Sequence, residues 1–150
     1  MKKTLLDKQI AGEIIERAQQ LQINSACVWG TMNVTEMLFH CNVCNRNILE
    51  GTSKYKKPGI KQQLLKFITF EFLSSFPKNL NGPVLNNTKG LIDKNEFEKQ
   101  KQRFIETIKK FPLHEKPFMA IQPSLGSLNN KEWGMFAWMH MDHHLRQFNV

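Results

Sequence analysis

His140 and His144 stand four positions apart, and that spacing is the sequence feature closest to a chemical function. On a helix, residues four apart lie on one face a turn apart, with roughly 6 Å between their Cβ atoms. Two imidazoles projecting from such a pair can converge on one divalent cation at about 2.0–2.1 Å per nitrogen. Their face also carries Trp133, Phe136 and Ala137, so both rings are expected to point into an apolar interior. An unpaired imidazole is costly to bury there, and a metal removes that cost by taking the lone pair. A third ligand must come from elsewhere in the chain. His40 is the best candidate, because Met37 at i−3 and Cys44 at i+4 turn it inward as well. His143, three residues from His140, competes for the role, and His114, in a loop between Pro112 and Pro117, is a poorer choice. By spacing alone the pattern also describes structural histidines, satisfied in the core or exposed on a helix, and both readings stay open on that ground.

The cysteines add a second motif. Cys41-Asn42-Val43-Cys44 has the C-x-x-C spacing of redox pairs, but it falls mid-helix rather than at a helix N-terminus, where thiolates are stabilised. Buried structural thiols are the plain reading; Cys44 as an additional ligand beside His40 is the sharper one. An odd set of three cysteines argues against a secreted disulfide framework and for a reducing cytoplasm. The apolar run after Met1-Lys2-Lys3 stops at Asp7-Lys8-Gln9, so no secretory signal is read there, and nothing approaches the roughly 18–20 apolar residues of a membrane span.

The net charge of +8 is unevenly placed. Residues 54–110 hold 13 Lys/Arg against 5 Asp/Glu, whereas the remainder is balanced at 8 of each. The surplus therefore lies in segments that carry none of the candidate ligands. It reads first as a solvated basic face, and only secondarily as a surface for nucleic acid. Asp142 lies off the ligand face and reads as a surface acid or helix partner rather than a base behind a ligand. Arg146 and Gln147 are placed to orient a ligand or to cap the last turn.

These residues must be positioned by helices. The 150 residues suit one domain, with 11 Phe and 3 Trp as core material. Periodicity predicts five helical segments and little strand alternation. The first spans about Thr4 to Leu21. The second begins after Trp29-Gly30, with Asn33 and Glu36 as a reciprocal cap and Gly51 as its stop. The third runs from Pro58-Gly59 to about Phe76 and, with Leu64, Leu65, Phe67, Ile68, Phe72 and Leu73 on several sides, is expected to be well buried. The fourth starts at Asp93, paired with Glu96, carries Phe97, Phe104, Ile108 and Phe111, and ends at Pro112. The fifth starts at Asn129, paired with Glu132. Connections over 51–59, 76–92 and 112–128 are long, rich in Gly, Pro, Asn and Lys, and permit crossovers.

The pattern Trp29-Gly30-x-Met32, Met37-Leu38-x-His40-Cys41, then Gly126-x-Leu128, Glu132-Trp133-Gly134 and His140-x-Asp142-His143-His144-Leu145-Arg146-Gln147-Phe148 resembles the DinB/YfiT-like superfamily, in an uncharacterised bacterial branch. The resemblance runs from about residue 29 to the end. It implies an all-α fold, a four-helix bundle with crossover connections and one additional short helical segment, over a single domain of residues 1–150. It implies three histidines holding nickel, zinc or another divalent ion such as manganese or iron; by motif position these are His40, His140 and His144. Relatives often carry a His-Pro-x-Phe-Gly-like loop before the last helix, whereas this chain has Gln122-Pro123-Ser124-Leu125-Gly126, and Gln122 cannot titrate.

Three nitrogen ligands leave a coordination position open, the layout of catalytic rather than closed structural sites. It could hold water or a substrate thiolate. The resemblance implies metal-assisted thiol transfer or hydrolysis, with a small-molecule substrate such as a low-molecular-weight thiol. The alternatives are a metal-binding stress or scaffold protein without turnover and, last, a basic nucleic-acid-binding protein. Exposed apolar faces on five segments leave room for a homodimer.

Overall fold

All five helical segments form, and local capping chemistry sets most of their ends. The structure, a computed structural model, describes residues 2–78 and 90–150, so part of the expected 76–92 connection lies outside the described residues. Helix α1 spans Lys8–Gln19, four residues shorter at its start than periodicity predicts, because the Asp7 carboxylate accepts the Gln9 and Ile10 amides and caps it there. The residues before it are tied elsewhere: the Leu5 amide donates to the Gly134 carbonyl. Helix α2 spans Val34–Glu50, α3 Ile60–Phe72, α4 Phe97–Lys110 and α5 Asn130–Gln147. Helices α2 and α5 both start with the expected reciprocal boxes, Asn33 with Glu36 and Asn129 with Glu132. At α4 the expectation is corrected. Asp93 caps a three-residue 3-10 turn, Lys94–Glu96, by accepting the Asn95 amide, and the α-helix proper begins only at Phe97.

Helix α4 packs on α2 and α1, α1 on α5, and α5 on α2, so these four enclose the core. Its centre holds Leu5, Ile14, Leu38, Phe104, Ile108, Phe111, Met141 and Leu145, all essentially inaccessible. Pro112 ends the α4 run, as expected, in a 3-10 turn over Phe111–Leu113. The 112–128 connection contains a small hairpin that periodicity does not foresee: β1 (Ile121–Gln122) pairs antiparallel with β2 (Gly126–Ser127). Two-residue strands are too short to leave a period in the sequence. Among the described residues no helix is long and apolar enough to cross a membrane.

Helix α3 contradicts the expectation of burial. Leu64, Leu65, Phe67, Ile68 and Phe72 are all exposed, and only Thr69 and Phe70 are buried. The helix is held to the body largely by polar groups on its inner side. Gln62 Nε2 donates to the Pro123 carbonyl, and Lys66 Nζ lies 2.8 Å from Glu132 Oε2. An abundance of apolar residues does not fix which side is buried: Phe70 enters the core, while Leu64, Leu65, Phe67, Ile68 and Phe72 face outward.

Candidate metal centre

His40 is carried by α2, and His140 and His144 by α5, where the two helices meet. The ring nitrogens approach one another in pairs. His140 Nε2 lies 3.1 Å from His40 Nε2 and 3.1 Å from His144 Nε2. The His40 and His144 ring centroids are 4.8 Å apart, so the three rings form one cluster. Cys44, one turn beyond His40, places its Sγ 3.8 Å from His40 Nε2. His40, Cys44 and His140 together form a group whose ligand atoms all lie within 4.8 Å of one another, compact enough to hold a metal ion.

The donor set fits a cation better than it fits hydrogen bonding alone. Two nitrogens on one ion at about 2.1 Å stand roughly 3.0–3.4 Å apart for right-angled to tetrahedral arrangements, which brackets the observed spacing. Gln147 determines the His144 tautomer. Its Nε2 donates to the Trp29 carbonyl at 2.8 Å, so its Oε1 must be the atom that accepts from His144 Nδ1 at 3.0 Å. The proton therefore sits on Nδ1, and Nε2 presents a lone pair to the cluster. His140 Nδ1 is buried without a partner among the described residues.

Burial keeps the His140 and His144 rings neutral. Desolvation, then the neighbouring His144 and His40, push His140 well below the ordinary histidine range. His144 is lowered to about 3, chiefly by desolvation and next by His40. Neutral imidazole is the metal-binding form. Desolvation raises the Cys44 thiol to about 12, so it is protonated unless a cation lies beside it. Cys41 is fully buried, with its Sγ 3.7 Å from Met37 Sδ, and is raised as well; it is structural, as the plain reading has it.

The other candidates are placed elsewhere. His143 turns toward Trp29 and Phe76, with ring centroids 5.9 and 6.5 Å away, and its ring meets His144 edge-on. His114 stacks on Phe118 at 4.2 Å. Asp142 is not a surface acid. It is buried, receiving Arg17 Nη1 at 2.9 Å and its helix neighbour Arg146 Nε at 2.8 Å. Arg17 continues to the Val150 carbonyl and Arg146 to the Phe76 carbonyl, so one carboxylate ties α1, α5 and two loop ends together. The link to Arg17, 125 residues away, leaves no local trace in the sequence. Gln122 is occupied within its hairpin, where Oε1 accepts the Ser124 and Leu125 amides, both at 2.6 Å.

Gly30 shows how closely the Trp29 turn fits the site. Its φ of +84° suits glycine, and a Cβ there would collide with the Gln147 amide nitrogen.

The model of one protein family, described as "Protein of unknown function (DUF1569)", matches residues 1–150, and the chain belongs to that family. No curated protein and no solved structure matches it.

Proposed function

From that membership and the geometry of the cluster, we propose that this protein binds one divalent transition metal through the Nε2 atoms of His40, His140 and His144. The convergence of three imidazole nitrogens on α2 and α5, with the His144 lone pair fixed by Gln147, carries the reading. The similarity of the Trp29-Gly30, His40-Cys41 and His140-to-Phe148 motifs to the DinB/YfiT-like superfamily supports it, and with it a single-domain four-helix bundle formed by α1, α2, α4 and α5. Nickel and zinc suit neutral imidazole donors better than manganese does.

A metal bound there supplies Lewis acidity and a position for water or a thiolate. The chain's own residues hold His140 and His144 neutral, set the ring orientation of His144 through Gln147, and set Phe136 beside His140. Metal-dependent thiol transfer or hydrolysis of a small molecule is the leading reaction class. A second reading, metal retention without turnover, is favoured by one observation: Asp142, the nearest carboxylate along α5, and Gln122, which stands where relatives often carry a histidine, are both engaged in structural hydrogen bonds.

Metal analysis of protein expressed with nickel or zinc supplied tests the proposal. About one ion per chain is expected in the wild type and little in His140→Ala. A metal-free wild type that stays folded would overturn it. Metal-dependent consumption of a thiol with an electrophile separates the enzyme from the non-catalytic reading.

A further inference from the structure

Helix α3 is built inside out. At 100° per residue its outward arc carries two adjacent stripes, Ile60-Leu64-Phe67-Glu71 and Lys61-Leu65-Ile68-Phe72. Six of these eight residues are apolar and all are exposed: Ile60 by 86%, Phe72 by 72% and Leu64 by 60%. The inward arc carries Gln62, Lys66 and Thr69, with Phe70 as its one buried apolar anchor. The six outward apolar side chains offer roughly 600 Å² of apolar surface, judged from the 150–250 Å² of a whole aromatic side chain. That is at the upper end of patches on ordinary monomers and close to the approximately 800 Å² per partner of a stable interface. A groove of about 390 Å³ beside this face is lined by Phe70, Phe72, Met135 and Trp138, with Lys2 and Lys3 at its charged side.

The charges on the face select the occupant. Lys61 and Glu71 are its only two, and they lie five residues on either side of Lys66. In an antiparallel pair of α3 helices related by a two-fold axis near residue 66, the Lys61 of each copy stands level with the Glu71 of the other. The arrangement is self-complementary at both ends, as an isologous interface requires. A parallel pair would set like charges together. A lipid surface would have to accept the Glu71 carboxylate, which ends the Ile60 stripe but points within the outward arc rather than beside it, against the pattern of interfacial helices, whose charges flank the apolar face.

We infer that this chain forms a two-fold dimer through the outward face of α3, packed antiparallel on α3 of a second copy. Light scattering after size exclusion tests this. The expected mass is twice the 17.5 kDa of the chain at micromolar concentration. Leu64→Glu with Phe67→Glu is expected to return it to one copy with an unchanged circular dichroism spectrum, since neither residue is buried. Lys61→Glu and Glu71→Lys should each weaken self-association about tenfold or more, and the double exchange should restore it. A wild-type monomer up to about 100 μM would overturn the inference, whether or not it binds vesicles of anionic lipid. So would a dimer that tolerates both glutamate substitutions, or single charge reversals that the double exchange does not rescue.

Discussion

Replacing Gln147 by leucine separates the candidate centre from a chance meeting of histidines. The Gln147 side chain is buried and makes two hydrogen bonds at once, accepting from His144 Nδ1 at 3.0 Å and donating to the Trp29 carbonyl at 2.8 Å. Leucine nearly conserves the volume and strands both partners. A stranded buried polar group costs about 1–3 kcal/mol, so a loss of about 2–4 kcal/mol in folding stability is expected. For a chain of this size that lowers Tm by roughly 5–15 °C. The second effect is on the metal. Without its acceptor, His144 can place the proton on Nε2, and removing such a supporting bond typically weakens metal affinity by about 10- to 100-fold. Competition against a chromophoric chelator, with zinc or nickel, measures this directly. Gln147→Glu is the informative companion: it keeps an acceptor for Nδ1 but sets a carboxylate against the Trp29 carbonyl, so it should retain most metal affinity while losing stability. Unchanged metal affinity in a folded Gln147→Leu protein would refute the claim that Gln147 fixes the His144 lone pair.

Acid should destabilise the metal-free protein. His140 and His144 are held neutral in the fold, His144 down to about 3, whereas in the unfolded chain they take up protons near 6.5. The unfolded state therefore binds more protons below 6.5, and stability, complete above that pH, should fall by about 1.4 kcal/mol per pH unit per histidine toward about 3. Urea unfolding at pH 7 and pH 5 checks this, and an equal midpoint at both would contradict it. Asp142→Ala should cost about 2–3 kcal/mol, less than a fully buried ion pair because Arg17 and Arg146 are 25% and 34% exposed in their side chains, while metal stoichiometry stays near one. Gly30→Ala should behave as a milder Gln147 lesion, lowering metal affinity through displacement of the amide, as the same competition titration would register. With cobalt in place of zinc, a charge-transfer band in the near ultraviolet that vanishes in Cys44→Ser would identify the thiol as a ligand; its absence from the wild type would restrict the site to nitrogen.

Local information survived translation from sequence to structure, and non-local information did not. The boxes at Asn33-Glu36 and Asn129-Glu132 involve residues three apart, and they formed as read. His140 and His144 share a face because the helical period puts them there, and Met37 and Cys44 correctly indicated that His40 turns inward. The burial of α3 failed because counting apolar residues says how much surface a helix offers, not which side its neighbours occupy. Asp142 is the helix partner of Arg146 that its spacing allows, but its burial is not legible locally, because it depends on Arg17 from another helix. The occupation of Gln122 within its own hairpin was hidden by strands too short to show a period.

The position of the cluster along the chain has a consequence for biosynthesis. His40 emerges early from the ribosome and His140 a hundred residues later, on the final helix. Until α5 is released and docks on α2, the chain presents a lone inward histidine beside two thiols rather than a chelating pocket. A cation that joins α2 to α5 would act as a reversible cross-link closing a loop of about one hundred residues, and closure of so long a loop is entropically disfavoured before the surrounding helices have packed. On the proposed metal reading, the three-nitrogen site exists only once residues 140–144 have been made and α5 has docked on α2, so a nascent chain stalled before residue 140 should lack it.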